Sequence, residues 1–566
     1  MLKPDEPIIP NWFVFTLFAG IGFFGYSIQA VDWFRATPGD LIDGRFNSVI
    51  LEHLFNWLQL GFNGKWTDVW SPTFFYPYPN VLALSDNHFG TAISYITLRY
   101  AGFSREISYG GWYVFGISLN FICSYYVLRR LQFGMFASSV AAFVYAFSLP
   151  VIAQDGHSQL SYRFAIPFAF LALWELLKYR GPSSLAWLVF WVGFQFFCSI
   201  YLGIFLSLFL ASCIIAFYIT GNKSSANFLA NLKSQSKLKK LALLTLIILS
   251  AFATVLLGLK YQAVSQQYGF VADAYEIKQM IPRLESYLIA DRSPLSSFIG
   301  QTSSSHLGEI AYRGEHQLFF GIGVFILFTI GSWFCWVKST AVNNPSRQSQ
   351  ICVARVAFIA LLIIFLGSLM FGAGSAWNLI ATVPGLQFIR AVSRIVLVMT
   401  FPVSIIVALA CENLYSYTNA KNYFQRQSLI IITALLICSE TVFFQKSRTP
   451  IEQWHERVQT LGAELPRPLE PDSVLFIPKD VSKPGYELPE VDAMILSQNL
   501  GIPTINGYSG KFPKGHDHNP VERCISASER LEGYANFLGS SASNTMQIES
   551  IKNRIVKIPN LPCDSP

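Results

Sequence analysis

Two acidic residues of the motif PGDLIDGRF, Asp40 and Asp43, have the type and position expected of catalytic carboxylates. A Pro-Gly pair precedes Asp40, so the pattern predicts Asp40 at or just before a helix start, with Asp43 about one turn on. A carboxylate there can act as a general base. Asp is also a favoured N-cap, and Asp43 could be a second acid, a metal ligand or a first-turn charge. Both are candidate catalytic residues.

Other polar motifs also interrupt the apolar sequence, namely LSDNHFG, GHSQL and GEHQLFFG. Their side chains could contact a substrate, although turns, helix caps and interfacial anchoring explain such residues equally well. The candidate substrate-binding residues are Arg45, Asp86, His88, His157, Gln159, Glu315 and His316.

Arg390 and Arg394 of FIRAVSRI are four positions apart, which predicts that they share one helical face beside the membrane. Guanidinium groups offer forked donors that match phosphate oxygens. The two arginines are therefore candidate phosphate ligands. The alternative is that both side chains snorkel to the membrane surface.

The elements that must position these residues are apolar helices. The chain of 566 residues is 52% hydrophobic and only 13% charged, whereas soluble domains carry about a quarter charged residues. Its blocks of apolar residues predict a polytopic membrane protein with about eleven transmembrane helices. The predicted spans cover 11–30, 110–128, 133–153, 164–177, two within 184–220, 241–258, 318–337, 351–371, 395–411 and 428–445, with the division of 184–220 placed between Cys198 and Gly203.

Charge distribution predicts the orientation of these spans. Compact basic clusters follow the even-numbered spans, and the positive-inside rule places such loops in the cytoplasm. The loops 31–108 and 259–317 and the tail 447–566 are then extracytoplasmic. The net charge of +7 is explained by the same bias, and no basic tract with interleaved aromatic residues indicates nucleic acid.

Two segments outside the spans have their own predicted structure. Residues 41–60 form an amphipathic helix in the membrane interface, with Arg45, Asn47 and Glu52 on its polar side. The tail mixes helical and strand-like patterns, which predicts a small α/β domain after a transmembrane domain of residues 1–446. In that tail, GYSGKFP is expected to fold back over the membrane face, and His516, Asp517 and His518 to lie in a solvated loop rather than at a metal.

The nine cysteines indicate no metal site. Seven lie in or beside apolar runs, without CxxC spacing, and are expected to be small core residues. Cys524 and Cys563 lie in the tail, where an extracytoplasmic location would allow a disulfide or two free thiols.

The order of PGDLIDGRF, LSDNHFG, GHSQL, GEHQLFFG, FIRAVSRI and INGYSG resembles a poorly characterised bacterial branch of the GT-C superfamily of membrane glycosyltransferases. The spacing Asp40-x-x-Asp43 departs from the DxD or DE pair of several members. The resemblance implies a multi-pass protein of the bacterial cytoplasmic membrane that moves a sugar, with inversion, from a polyprenyl-phosphate donor to an extracytoplasmic glycan, lipid or protein.

By the same resemblance, Asp40 would be the general base, and Arg390 and Arg394 would steady the donor phosphate. Asp86, His157 and Glu315 would contact sugar or acceptor. No cofactor is required, and a divalent metal is an alternative without support from the residues. The competing functions are a transporter or flippase of lipid-linked glycan and a non-catalytic envelope assembly protein, of which a carrier should place ionisable groups near mid-membrane.

Overall fold

A computed structural model describes residues 11–222, 227–270, 273–301, 310–337, 345–372, 374–383, 386, 389–418, 423–480, 485–516, 524–539 and 541–558. Within these ranges the chain is predominantly helical. Nine helices are long and apolar enough to cross a bilayer: Trp12–Ala30, Arg105–Arg130, Met135–Ile152, Ser158–Tyr179, Ile200–Ile219, Lys237–Tyr268, Pro345–Ser368, Val392–Tyr417 and Phe424–Phe443. Since about 20 apolar residues span the hydrocarbon core, the protein is a helical, multi-pass membrane protein.

Two shorter apolar helices, Pro182–Cys198 and Ile322–Trp336, occupy the remaining predicted span positions. The 184–220 block divides at Ser199, whose extended backbone ends one helix and whose hydroxyl accepts the Leu202 N–H at the start of the next. This is a normal N-cap. The break therefore lies inside the predicted interval Cys198–Gly203, while the total of eleven spans stays a prediction.

The helix Val392–Tyr417 lies at the centre of the bundle, with 94% of its apolar 18-residue stretch buried, whereas only 6% of the corresponding stretch of Lys237–Tyr268 is buried. Glycines allow the helix Ile322–Trp336 to approach its neighbours closely. A Cβ at Gly331 would lie 2.1 Å from the Ile406 carbonyl oxygen, and one at Gly323 would lie 2.3 Å from that of Leu436. Small residues bring membrane helices into van der Waals contact, which is a main source of their association.

The helix predicted over residues 41–60 is observed at Asp43–Phe62, and we call it the interfacial helix after that prediction. Arg45, Asn47 and Glu52 of its polar side are buried, whereas Gln59 is exposed. Glu52 pairs with the Arg99 guanidinium at 2.9 Å. Other parts of the protein therefore cover the portion of the polar side that holds Arg45, Asn47 and Glu52.

The C-terminal segment, residues 447–558, combines helices with short strands. Its helices are Ile451–Ala463, Leu488–Leu500, Ala527–Leu538 and Ala542–Lys552. Strand Val474–Phe476 pairs in parallel with Ile555–Lys557, and Lys479–Asp480 pairs antiparallel with Cys524–Ile525. This segment therefore has the mixture of helical and strand-like pieces that its sequence predicts.

The C-terminal segment packs on the first loop through backbone pairing. Strand Ala36–Pro38 is antiparallel to Arg448–Pro450. The Phe75 N–H donates to the Asn506 carbonyl at 2.9 Å, and the Thr504 N–H donates to the Thr73 carbonyl at 2.8 Å. These bonds fix the INGYSG stretch against residues 73–75 of the first loop. The remaining short elements are the helices Ala92–Tyr100, Phe228–Ser234, Ala274–Gln279 and Trp377–Ile380 and the strand pair Met370–Phe371 and Gly374–Ser375.

Candidate functional site

Asp40 lies at the entrance to the interfacial helix, as predicted. Gly39, with φ +84°, turns the chain where a Cβ would lie only 3.1 Å from Gly156 Cα. Asp40 Oδ1 accepts the N–H groups of Ile42 and Gly44 at 3.0 and 3.2 Å, so this carboxylate does cap the turn. Its Oδ2 accepts no hydrogen bond from any described residue, and the side chain is exposed. Capping therefore leaves one carboxylate oxygen accessible.

Asp43 begins a chain of ionic contacts that we call the His157 network: Asp43, His157, Glu315 and Arg394. His157 Nδ1 lies 3.5 Å from Asp43 Oδ2, and its Nε2 lies 3.0 Å from Glu315 Oε1. Arg394 donates to both Glu315 oxygens, at 2.5 and 3.1 Å. A carboxylate only accepts, so both imidazole contacts are satisfied when the ring carries a proton on each nitrogen. The network joins four segments that are distant in sequence.

Accessibility varies along the His157 network. The side chains of Asp43 and His157 are 35% and 25% exposed, whereas those of Glu315 and Arg394 are 12% and 8% exposed. Burial by itself raises the pKa of the Glu315 carboxyl, but the adjacent Arg394 and the bond to His157 lower it well below its ordinary value. The buried end is a permanently ionised pair, and the open end presents an imidazole and a carboxylate.

The two arginines do not share a helical face, so that prediction is wrong. Arg390 lies in irregular backbone, and Arg394 lies in the 3₁₀ turn Val392–Ile395 that leads into the span. Arg390 pairs instead with Glu276 at 3.0 Å. Tyr201 connects the two, because its hydroxyl accepts the Arg390 N–H at 3.1 Å and its ring lies 5.6 Å from the Arg394 guanidinium carbon.

His88 and Gln159 reach the site through Asn47. The Asn47 amide donates to Gln159 Oε1 at 3.1 Å and to the Asp43 carbonyl at 2.9 Å, and its oxygen accepts from His88 Nε2 at 3.0 Å. Burial lowers the pKa of His88 to about 3, so this imidazole is neutral. These residues hold the first turn of the interfacial helix against GHSQL.

Asp86 lies at the start of the helix Ile200–Ile219. Its carboxylate accepts the Ile200 N–H at 2.7 Å and the Ser199 hydroxyl at 3.1 Å. Burial raises the pKa of Asp86 to about 6, against the lowering effect of these two hydrogen bonds. Asp86 joins the first loop to the Ser199 break, and the charge of Arg394 in the His157 network also lowers the pKa of Asp86.

Two further candidate residues, Arg45 and His316, make contacts that do not involve the His157 network. Arg45 Nη1 donates to Asp492 at 2.5 Å, and both side chains are fully buried. His316 Nδ1 lies 2.7 Å from the Ser286 hydroxyl, and its Nε2 lies 2.8 Å from the Gln279 carbonyl oxygen. Neither is brought to the open end of the His157 network.

Sequence reasoning missed three residues of the site: Tyr201, Tyr508 and Lys511. The Tyr508 hydroxyl donates to Asp43 Oδ1 at 2.8 Å. Burial lowers the pKa of the Lys511 amine, and so does the nearby charge of Arg390. The expectation that GYSGKFP folds back over the membrane face pointed to this segment, but no spacing rule singled out its tyrosine or lysine.

The remaining tail predictions have different outcomes. His516 is 2% exposed, and its ring centroid lies 4.6 Å from that of Phe75, so the prediction of a solvated loop is wrong at this residue. Asp517, His518 and the Cys524–Cys563 pairing lie outside what the structure describes. Among the residues it does describe, no group of three or more His, Cys, Asp or Glu is arranged around a metal position.

Asp43 and Glu315 approach opposite nitrogens of one imidazole, so these three groups do not converge on a common point. What they can do is orient a hydroxyl or carry a proton between acidic groups. No protein-family model and no curated protein matches this chain.

Proposed function

We propose that this protein is a membrane glycosyltransferase that moves a sugar from a polyprenyl-phosphate donor to an acceptor outside the cytoplasm. The observation that carries the proposal is the juxtaposition of an accessible carboxylate, Asp40, with the His157 network at one end of the helix bundle. Such a site can remove a proton and stabilise negative charge in the same place.

Asp40 is the proposed general base. Its capped oxygen fixes the carboxylate, while the accessible Oδ2 can accept the proton of an acceptor hydroxyl. The acceptor oxygen then bonds to the anomeric carbon as the bond from that carbon to the donor phosphate breaks, with inversion. The phosphate leaves with the bonding electron pair and needs no general acid. Asp43, His157 and Gln159 are positioned to orient the reacting hydroxyls.

The donor phosphate is proposed to lie between Arg390 and Lys511 rather than between the two arginines of FIRAVSRI. Arg394 is 8% exposed and its charge is directed at Glu315, so it acts on the substrate through the His157 network. Arg390 is 40% exposed. Guanidinium and ammonium groups together suit the oxygens of a phosphate monoester or diester.

Under this proposal the protein lies in the cytoplasmic membrane of a bacterium, with eleven spans. The first loop, residues 259–317 and the C-terminal segment are extracytoplasmic, and the last of these forms a small α/β domain over the site. The direct bond from Tyr508 to Asp43 supports a shared role for the C-terminal segment and the first loop.

A carrier of lipid-linked glycan is the competing function, and it would use ionisable groups within the spans. Arg163 is a fully buried guanidinium in the bundle. It donates to the carbonyls of Leu397 and Tyr145 and to the Thr400 hydroxyl, each at 3.3 Å. These contacts tie helices together, which favours surface chemistry over passage.

The test is Asp40→Asn, assayed for transfer of a radiolabelled hexose from polyprenyl phosphate in membrane vesicles. We expect transfer to fall about 10²- to 10⁴-fold, because the amide cannot take the proton. The matched control is Asp68→Asn in the same loop, where Asp68 accepts from the Trp70 N–H and an asparagine can do the same. Unchanged transfer by a well-folded Asp40→Asn protein would remove Asp40 as the base.

A further inference from the structure

A cleft separate from the His157 network opens where two spans end side by side. These are the first span, Trp12–Ala30, and the last described one, Phe424–Phe443. The cleft has a volume of about 490 Å³, and its walls include Phe24, Gln29, Phe443, Lys446 and Arg448. It therefore lies at the depth where the hydrocarbon part of these helices gives way to polar residues.

The first span changes its winding at this cleft. Residues Phe23–Ser27 form a π-helical turn, which is frequent at functional sites. Within it, Gly25 brings the two spans into contact, since a Cβ there would lie 2.8 Å from Val442 Cγ2. Gly25 and Val442 both line the cleft.

The wall on the membrane side is aromatic. Phe24 and Phe443 are 57% and 62% exposed, and Trp33 packs beside Phe24 with ring centroids 6.3 Å apart. Aromatic residues at the ends of membrane helices lie at the boundary between acyl chains and headgroups. This wall suits acyl chains.

The polar end of the cleft carries an excess of positive charge. Lys446 Nζ donates to the Val442 carbonyl at 2.7 Å, and no described carboxylate lies within ion-pair distance of it. Burial, Arg448 and Arg292 lower the pKa of Lys446 to about 8. Arg448 donates to the Gln29 carbonyl at 2.7 Å and lies 3.5 Å from Asp32. Asp155 also acts on the charge of Lys446, but it is paired with Arg292, so the cationic side chains at this end of the cleft outnumber the carboxylates.

We propose that this cleft binds an anionic phospholipid of the surrounding membrane. Its phosphate contacts Lys446 and Arg448, and its acyl chains lie along Phe24 and Phe443. A headgroup with a net negative charge is attracted to Lys446 and Arg448. In a zwitterionic headgroup, the ammonium group offsets this attraction. The inference uses no residue of the His157 network and does not rest on the proposed function.

The test is native mass spectrometry of the full-length protein in detergent, titrated with phosphatidylglycerol or phosphatidylcholine. We expect about thirtyfold tighter binding of phosphatidylglycerol, since two basic residues near an anionic headgroup contribute about 1 kcal/mol each. The variant Lys446→Gln/Arg448→Gln should lose that preference.

The control is Lys237→Gln/Lys239→Gln, which removes two exposed lysines at the start of another span. This control should keep the preference. If the double variant at the cleft does not fold, Lys446→Gln alone should reduce the preference about fivefold.

Three results would overturn the proposal: equal binding of the two lipids, unchanged phosphatidylglycerol binding by a folded cleft variant, or displacement of the lipid by millimolar inorganic phosphate. Binding of a polyprenyl phosphate in place of phosphatidylglycerol would also overturn it, because the occupant would then be a donor-type lipid.

Discussion

Two ionic clusters meet at the interfacial helix, and they differ in what surrounds their carboxylates. In the first, which we call the Asp492 cluster, Asp492 lies between Arg45 and Arg457, and both Asp492 and Arg45 are fully buried. In the His157 network, by contrast, the side chains of Asp43 and His157 remain partly exposed. The same residue types thus fasten the C-terminal segment in one place and leave reactive groups accessible in the other.

This difference separates an ionic cluster that is closed to solvent from one that is open to it. A buried carboxylate between two guanidinium groups has its oxygens committed, and removing it leaves uncompensated charge. A network with an open end can exchange a protein partner for a substrate. Accessibility of the carboxylate oxygen, rather than the presence of an ion pair, therefore identifies the candidate site.

The largest effect is expected at the Asp492 cluster. Asp492→Ala should lower the free energy of unfolding by about 3–5 kcal/mol, because Arg45 is left buried without a counter-ion. Denaturant unfolding of the purified protein measures this. Arg130→Ala is the control, since its pair with Glu175 is 56% exposed on the arginine side and should cost at most about 1 kcal/mol. Equal losses in the two variants would contradict the comparison.

Asp86 sharpens the comparison, because it is buried without an ion-pair partner. In the folded protein the pKa of Asp86 is raised from its ordinary value of 3.8 to about 6, so its carboxyl group stays protonated to a higher pH than in the unfolded chain. The free energy of unfolding should therefore fall by about 3 kcal/mol as the pH rises from about 4 to about 6.5. The pKa of Glu490, which is buried against Arg530, is lowered from 4.5 to about 2. The contribution of Glu490 to the free energy of unfolding therefore increases as the pH rises from about 2 to about 4.5.

Unfolding measured across that pH range in wild type and Asp86→Asn tests this prediction. The asparagine oxygen can still accept the Ile200 N–H, so the variant should fold and lack the decrease. An identical pH dependence in both proteins would assign the effect to other groups.

The smallest effect is expected at the open end of the His157 network. Tyr508→Phe removes the hydroxyl that donates to Asp43 at 2.8 Å but keeps the ring packed on Phe46. Under the proposed function we expect transfer to fall about 10- to 100-fold, since a hydrogen bond to a charged group contributes about 1.5–3 kcal/mol. The control is Tyr534→Phe, a tyrosine packed on Tyr78. Full activity of Tyr508→Phe would show that the hydrogen bond from the C-terminal segment to Asp43 is not needed for transfer.

Much of the fold could be predicted from sequence, because apolar runs must become helices in a bilayer to satisfy their backbone hydrogen bonds. The interfacial helix followed from the spacing of its apolar residues. The spacing did not indicate the environment of the polar side, where Arg45 and Glu52 are buried. Amphipathic spacing shows which side is polar, not whether another part of the chain covers that side.

Sequence by itself determined that Asp40 precedes a helix and that Asp43 follows one turn later, because local turn and capping preferences act over a few residues. Only the tertiary structure decided that His157 lies between Asp43 and Glu315, that Arg394 neutralises Glu315, and that Arg390 turns to Glu276. Those pairings join residues more than a hundred positions apart in most cases. They depend on how helices pack and where loops cross, which no local pattern encodes.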